Sequence, residues 1–468
     1  MMEWPEEWNF QNEDVPFFLS HLKSMVLYEP RLGKTVVTCK TLALDPETTT
    51  VIIACSKNAF QTWMDHIPSA FAKYAPDRTV EVRIIRGKGS KAKAQREAAW
   101  TRPRTTDVTV YIITFAALIN DYPFLSSGKA RFDSVIGDEV HTKLKKRTNK
   151  SCIIFRDFVA KSRRFMALSG TLAGKWGPAD YWAILNMCNK REFSSFWNFV
   201  HMFCHVVDNG FGMEIVGVKN SEEFHRLMDR YARLRKRKIV RPEMPITVRA
   251  LKPVEMTAQQ AKLYDTLASD KLVETPEGNL IVVANSLEEH MRRRQILTCP
   301  GMLSPDLGVG GAMEDILDIL DEARENDDRE GQHIVIFTAF RRALPIWEEY
   351  LRANGYEHIY QLYGGLEPED LTARIKGFKE NMGIILCTTK FAQAFSLASS
   401  KVCYHIGYEY DPNDNIQAED RLVPTVGDYS INSFYYSYRD THDDVMAERI
   451  NIKQQMIHMT TTNDRLLK

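Results

Sequence analysis

Short runs of consecutive apolar residues recur along this chain and constrain its fold more than any other feature. They are Thr50–Cys55, Val108–Phe115, Ser134–Gly137 and Phe165–Leu168 in the first half. His333–Thr338, Gly383–Thr388 and Lys401–Gly407 follow in the second. They are rich in Val and Ile, and apolar on successive rather than alternate positions. Strands read this way when a sheet is covered on both faces, as in parallel α/β domains. Helix-compatible segments such as Met313–Glu325 and Arg342–Asn354 lie between them. The pattern predicts an α/β protein of two tandem domains, each with a parallel sheet.

The boundary is expected near residue 248, giving domains 1–248 and 249–468. Trp176–Pro245 is dense in aromatic and basic residues and reads as a helical insertion at about 176–245. Arg249–Thr257, with Pro245 and Pro253 as punctuation, reads as a linker or entry strand. A polar helical excursion is expected over about 259–307.

Composition narrows the function classes. Lys+Arg number 61 and Asp+Glu number 61, so bulk charge does not coat nucleic acid, and any such contact is a local patch. The eight cysteines form no C-x-x-C pair, which argues against a zinc ribbon or redox motif. The start, MMEWPEEW, lacks a basic-then-apolar pattern, and no apolar run nears the ~18 residues of a membrane span. A reduced, cytoplasmic protein is expected.

Three motifs carry chemistry. Tyr28-Glu29-Pro30-Arg31-Leu32-Gly33-Lys34-Thr35 precedes a helix-compatible stretch and ends like a phosphate-binding P-loop. Gly33 admits the backbone to the phosphates, Lys34 reaches them, and Thr35 can ligate Mg²⁺. Tyr28 stands where the first glycine of that pattern belongs, and alone the G-K-T is a weak signal. Asp138-Glu139-Val140-His141 follows the run Ser134–Gly137. A carboxylate pair there can hold Mg²⁺ through Asp138 and activate water through Glu139, although exposed strand-end pairs are also common. Leu168-Ser169-Gly170-Thr171 closes a third apolar run.

P-loop, D-E-x-H and S-G-T in this order resemble the first RecA-like lobe of a superfamily-two helicase or translocase, and the details resemble the Swi/Snf branch. Ser56-Lys57, with Trp63 six residues after the lysine, is similar to that branch's P-K-x-x-x-x-x-W. Arg235-Lys236-Arg237-Lys238-Ile239-Val240, Met256-Thr257-Ala258-Gln259-Gln260 and Arg294-Gln295-Ile296 with Cys299-Pro300 resemble further elements. In the second half, Ile336-Phe337-Thr338, Leu362-Tyr363-Gly364-Gly365, Cys387-Thr388-Thr389 and Gln417-Ala418-Glu419-Asp420-Arg421 resemble the second lobe's motifs. Two departures stand out. Ala392 and Ala394 replace glycines, and Pro424 sits where the family has a second arginine. The brevity and motif drift are similar to the compact helicase-like proteins of bacteriophages.

The resemblance implies two tandem RecA-like lobes with ATP and Mg²⁺ bound between them, and DNA, double-stranded, held through its phosphates. It implies Lys34, Asp138, Glu139, Gln417 and Arg421 as catalytic residues. Gln11, Arg31, Gly33, Lys34 and Thr35 would bind nucleotide, with Thr35 and Asp138 on Mg²⁺. His141, Ser169 and Thr171 would couple nucleotide state to movement. Lys57, Thr114, Thr338, Gly365 and Thr388 would contact DNA. The implied activity is a DNA-dependent ATPase acting as a DNA translocase or helicase. The alternatives are a strand-separating or annealing helicase and an ATPase-deficient DNA-binding protein. Arg226–Arg241, whose residues 226, 230, 233 and 237 have helical spacing, and Arg292-Arg293-Arg294 are basic clusters that suit phosphate tracking or a solvated helix face.

Overall fold

The computed structural model describes residues 3–447, apart from positions 88, 130, 171, 173, 175, 211, 271, 275–279, 283–284, 393–394, 425–428 and 445. They form two compact units, one running to Pro242 and the other starting at Glu243.

The first unit is built on a parallel sheet of seven strands. These are β1 (Lys23–Tyr28), β2 (Thr50–Cys55), β3 (Val80–Ile85), β4 (Val108–Thr114), β5 (Ser134–Gly137) and β6 (Arg164–Leu168), with one late strand. After a hairpin, β7 (Cys204–Asp208) and β8 (Met213–Val218), the chain returns as β9 (Ala232–Arg235) and completes the sheet. The order is β3-β4-β2-β5-β6-β1-β9, so the chain crosses over repeatedly, as parallel pairing demands. Every residue of β2 and β6 is buried, which is why Val51–Cys55 and Phe165–Leu168 read as unbroken apolar runs. Helices α1 (Asn9–Ser20), α2 (Lys34–Leu44) and α3 (Phe60–Tyr74) connect and cover these strands.

The insertion expected as helical is mixed. Among the described residues, 176–245 hold four helices, Trp182–Cys188, Phe196–Phe203, Ser221–Asp229 and the single turn Arg237–Val240, but also the β7–β8 hairpin and the edge strand β9. The aromatic side chains with helical spacing are core: Phe199, Phe203 and Phe224 pack on one another. The spacing within Arg226–Arg241 is likewise not one helical face. The helix stops at Asp229, β9 follows, and a one-turn helix covers only Arg237–Val240.

The second unit holds a parallel sheet of six strands in the order β10-β17-β16-β13-β15-β14. They are β10 (Thr247–Pro253), then, after a small hairpin of β11 (Leu272–Glu274) and β12 (Leu280–Val282), β13 (Ile334–Thr338), β14 (Ile359–Leu362), β15 (Ile384–Thr388), β16 (Val402–His405) and β17 (Ile431–Ser437). The entry segment is thus an edge strand. Its side chains are mostly exposed, in contrast to the fully buried β13. Helices Gly311–Glu325 and Ala343–Ala353 bury Ile316, Leu320, Leu344 and Trp347 against the sheet.

Candidate nucleotide-binding and hydrolysis site

In parallel α/β sheets ligands bind beyond the carboxyl ends of the strands. The P-loop leaves the carboxyl end of β1 and the acidic motif leaves that of β5. Gly33 is the N-cap of α2 at φ 74° and offers no side-chain cap, so the first backbone N–H groups of α2 are free to face an anion. Arg31 is also left-handed, at φ 68°, which turns the loop sharply. A Cβ on Gly33 would lie 2.3 Å from Gln11 Nε2 and would push that side chain aside, so both the backbone conformation and the close approach favour glycine here.

Gln11 is buried in α1 and fastened to that loop. Its Oε1 accepts from the Trp8 N–H at 3.1 Å, and its Nε2 donates to the Leu32 carbonyl at 3.1 Å. Tyr28, in place of the first P-loop glycine, packs its ring edge-on against Phe10 of α1. Its hydroxyl donates to the buried Asp14 at 2.6 Å, and Asp14 accepts from Arg235 Nε at 2.8 Å. Burial, with the Asp14 charge, pushes the Tyr28 phenol far above its ordinary range.

Asp138 is buried and accepts from the indole Nε1 of Trp63 at 3.1 Å. Burial and the adjacent Glu139 charge raise its carboxyl to about 6, opposed by Lys34 and the Trp63 hydrogen bond. Glu139 is more open and left-handed at φ 48°, a strained conformation of the kind that gathers at functional sites. Lys34 Nζ lies 3.5 Å from Glu139 Oε1 and 3.5 Å from the Tyr28 carbonyl. The cation of the P-loop and the acidic pair therefore converge. His141 joins them to the third motif: its Nδ1 is 3.3 Å from Glu139 Oε2 and 3.0 Å from Ser169 Oγ. Ser169 is fixed in turn by its N–H on the Val26 carbonyl, and Gly170 packs close on Pro30 of the P-loop. Thr171 lies outside the described residues. Thr35 occupies the first turn of α2, half-buried.

The residues implied for DNA sit at strand ends in each unit. Lys57 is exposed just beyond β2, and Thr114 ends the adjacent β4, where its hydroxyl caps the next helix by accepting from the Ala117 N–H at 3.2 Å. In the second unit Thr338 and Thr388 are register partners at the ends of β13 and β15, and Gly365 is exposed past β14 at φ 106°. Thr338 is buried and its hydroxyl accepts from the Phe340 N–H, so it presents the least of the five. Gln417 is buried in the helix Pro412–Glu419, and Arg421 follows two residues after that helix ends. The oxygens of Glu419, the residue that ends this helix, are held by Arg249, Ser433 and Tyr435. Pro424 and Ala392 are buried, and Ala394 lies outside the described residues.

The basic clusters are largely occupied within the fold. Arg233 stacks on Phe17 at 3.5 Å, Arg235 binds Asp14, Arg237 lies 3.7 Å from Glu29, and Arg241 stacks on Trp8 at 4.2 Å. This run braces α1 and the approach to the P-loop. Arg292 and Arg293 pair with Glu288 and Glu289, while the buried Arg294 donates to the Tyr408 carbonyl at 2.7 Å. Sequence reasoning used Trp63 only as a landmark. Its contact with Asp138 is a site interaction, and the fixed distance from Lys57 was the available signal.

Two tandem parallel-sheet units, the first carrying a P-loop joined to a strand-end D-E-x-H, define a pair of RecA-like lobes. Family comparison agrees: the SNF2-related domain matches residues 10–303, and the helicase conserved C-terminal domain matches residues 311–423. The chain belongs to the SNF2-related family. It is similar to the Xenopus tropicalis protein named SWI/SNF-related matrix-associated actin-dependent regulator of chromatin subfamily A-like protein 1, at 22 % identity over 96 % of this chain and 44 % of that one. It is also similar to the Mus musculus DNA annealing helicase and endonuclease ZRANB3, at 21 % identity over 96 % of this chain and 40 % of that one. The chain spans less than half the length of these two relatives. The solved SWI2/SNF2 ATPase core of Sulfolobus solfataricus in complex with dsDNA aligns over 97 % of this chain and 94 % of its own, at 18 % identity and a TM-score of 0.41.

Proposed function

We propose that this chain is a DNA-dependent ATPase that translocates along duplex DNA. The convergence of Lys34, Asp138 and Glu139, with Lys34 3.5 Å from Glu139, carries the reading. In it Gly33, Lys34, Arg31 and the amino end of α2 take the phosphates of ATP, and Gln11 takes the adenine edge. Thr35 and Asp138 form an all-oxygen donor set that suits Mg²⁺. The fit is supported by Asp138 itself, a buried carboxylate raised to about 6 whose charge a cation compensates. The metal would neutralise phosphate charge. Glu139 orients the attacking water and takes its proton, and Lys34 holds the phosphates in place. Arg421 stabilises charge on the transferred group, with Gln417 beside it in sequence.

His141 and Ser169, with Thr171, pass nucleotide state from Glu139 toward the strand ends. Lys57, Thr114, Gly365, Thr388 and Thr338 hold the DNA backbone. The name of the mouse relative, a DNA annealing helicase, supports DNA as the partner. The finer reading of a bacteriophage-type motor rests on motif drift, namely Tyr28 and Pro424 at two family positions. A cytoplasmic location, that of the host if viral, belongs to the same proposal. Among the described residues no helix is long and apolar enough to cross a membrane.

The test is ATP hydrolysis by purified protein with and without duplex DNA. Stimulation by unrelated duplexes is expected, with DNA affinity falling steeply with salt because neutralised phosphates release counterions. Triplex-strand displacement reads translocation, and a forked duplex reads strand separation. Hydrolysis indifferent to DNA would overturn the proposal.

A further inference from the structure

Glu419 is the variable letter of the Q-A-x-D-R element, and it is wholly buried. A carboxylate out of reach of water stays ionised only where donors meet its oxygens. Four do. Arg249 Nε and an Nη donate to Oε2 at 2.7 and 2.6 Å. The hydroxyls of Ser433 and Tyr435 both donate to Oε1 at 2.7 Å. Burial raises the Glu419 carboxyl, but Arg249 with the hydrogen bonds outweighs it and holds the group below the usual range.

The sheet explains the convergence. Arg249 of β10 and Ser433 of β17 are register partners, and Tyr435 is two residues further along β17, so all three share one face. His405, partner of Tyr435 on β16, lies flat on its ring at 4.2 Å. Glu419 ends the helix Pro412–Glu419, and the backbone of Arg421 is pinned just beyond it. The Arg421 N–H donates to the Ala418 carbonyl at 3.1 Å, and its carbonyl accepts from the Leu397 N–H at 2.7 Å. Ala418, Leu422 and Val423 already anchor the segment in the apolar core. The ionic clamp therefore adds orientation to a segment whose attachment is secured by packing.

We propose that Glu419, clamped by Arg249, Ser433 and Tyr435, is a positioning residue for ATP hydrolysis that sets the turn carrying Arg421. The proposal rests on the assignment of Arg421 made above. It makes β10, the first strand after Pro242, a brace on that turn.

The experiment is a double-mutant cycle read by DNA-stimulated kcat, with long single-turnover measurements for the slow variants. Glu419→Gln keeps size and removes the charge that holds the Arg249 fork. It is expected to lower kcat about tenfold while nucleotide still binds one per chain, since a small misplacement of a reacting group costs that much or more. In an Arg421→Ala background the same substitution should cost less than about twofold, because contacting residues that act through one another are non-additive. Tyr435→Phe removes one donor of the four and should show a smaller loss with the same dependence on Arg421. It serves if Glu419→Gln does not fold. Equal fold-losses in both backgrounds, or no loss in either variant, would overturn the positioning role. Wild-type turnover by Arg421→Ala alone would instead overturn the assignment of Arg421, and the positioning role with it.

Discussion

The indole of Trp63 donates a hydrogen bond to the buried carboxylate of Asp138, Nε1 to Oδ2 at 3.1 Å. Trp63→Phe keeps the apolar bulk and deletes the donor. Asp138 already stands at about 6 through burial and the Glu139 charge, and losing the indole lifts it further. The ionised carboxylate is the form that accepts a cation, so the acid limb of the rate-against-pH profile should move to higher pH. Profiles of both proteins check this. An unmoved limb would mean that the indole only packs.

Lys34→Ala and Glu139→Gln should both stop hydrolysis, by different routes. Removing Lys34 takes a charge from the phosphate site and weakens nucleotide binding. Glu139→Gln keeps the shape and removes the base, so nucleotide binds while turnover falls about 10²–10⁴-fold. Equilibrium binding of a fluorescent ATP analogue, set beside turnover, separates the two.

Gly33→Ala meets two penalties at once. The backbone is left-handed at φ 74°, which costs an ordinary residue about 1–2 kcal/mol. The new Cβ also falls 2.3 Å from Gln11 Nε2 and must displace it. A lower Tm is expected, together with a weakened preference for adenine over guanine nucleotides, since Gln11 is assigned the base. Competition between ATP and GTP reads the second effect.

Arg421→Ala should remove DNA-stimulated hydrolysis, by about 10³-fold or more, and leave nucleotide binding largely intact. Arg421→Lys should not restore it, because an ammonium lacks the planar fork that spans two oxygens. With Pro424 at the place of the second arginine, turnover of the unaltered protein should be modest unless another arginine such as Arg439, which is exposed, substitutes. Steady-state rates on saturating DNA decide both points.

Stability of the second unit should fall on mild acidification. His405 is fully buried, and burial lowers it from 6.5 to about 4 despite the Glu419 charge. The unfolded chain takes up this proton below about 6.5 and the native protein only below about 4, so the contribution is whole above 6.5 and is lost as pH falls through the interval. The loss is on the order of 3 kcal/mol, and Glu419, held low, adds in the same direction at still lower pH. Urea melts at several pH values measure it, and His405→Asn should flatten the dependence.

Much of the frame was legible from the chain alone. The runs Thr50–Cys55 and Ser134–Gly137 are β2 and β5 to the residue, because a strand buried on both faces is apolar on successive positions after its first residue and stands out from its polar flanks. β1 was not anticipated. Its apolar stretch Met25–Tyr28 is short and runs straight into Glu29-Pro30, and its place between β6 and β9 is a tertiary fact. The insertion 176–245, read as helical, also carries the hairpin and β9, because its aromatics Phe199, Phe203 and Phe224 form one core with elements of both kinds, and an aromatic-rich stretch does not say which element each belongs to. The basic run was misread for a related reason. Charge spacing reports a helix only if the backbone is one, and here β9 interrupts it, leaving Arg233 and Arg235 beside Asp14.

The α/β alternation, the order of the motifs and the chemical types at the candidate site of the first unit, Lys34, Thr35, Asp138 and Glu139, were readable along the chain. Those follow from local pattern, since strand burial and loop chemistry are written in neighbouring residues. The distant side chains that hold these and other buried polar groups came from the folding of the chain as a whole. Tyr28 reaches Asp14 and Arg235, Gln11 locks onto Leu32, Trp63 holds Asp138, and Glu419 gathers Arg249, Ser433 and Tyr435. The physical reason is that a buried polar group must find its partners wherever the packed strands and helices bring donors within about 3 Å, and sheet order, which sequence spacing does not encode, sets where that is.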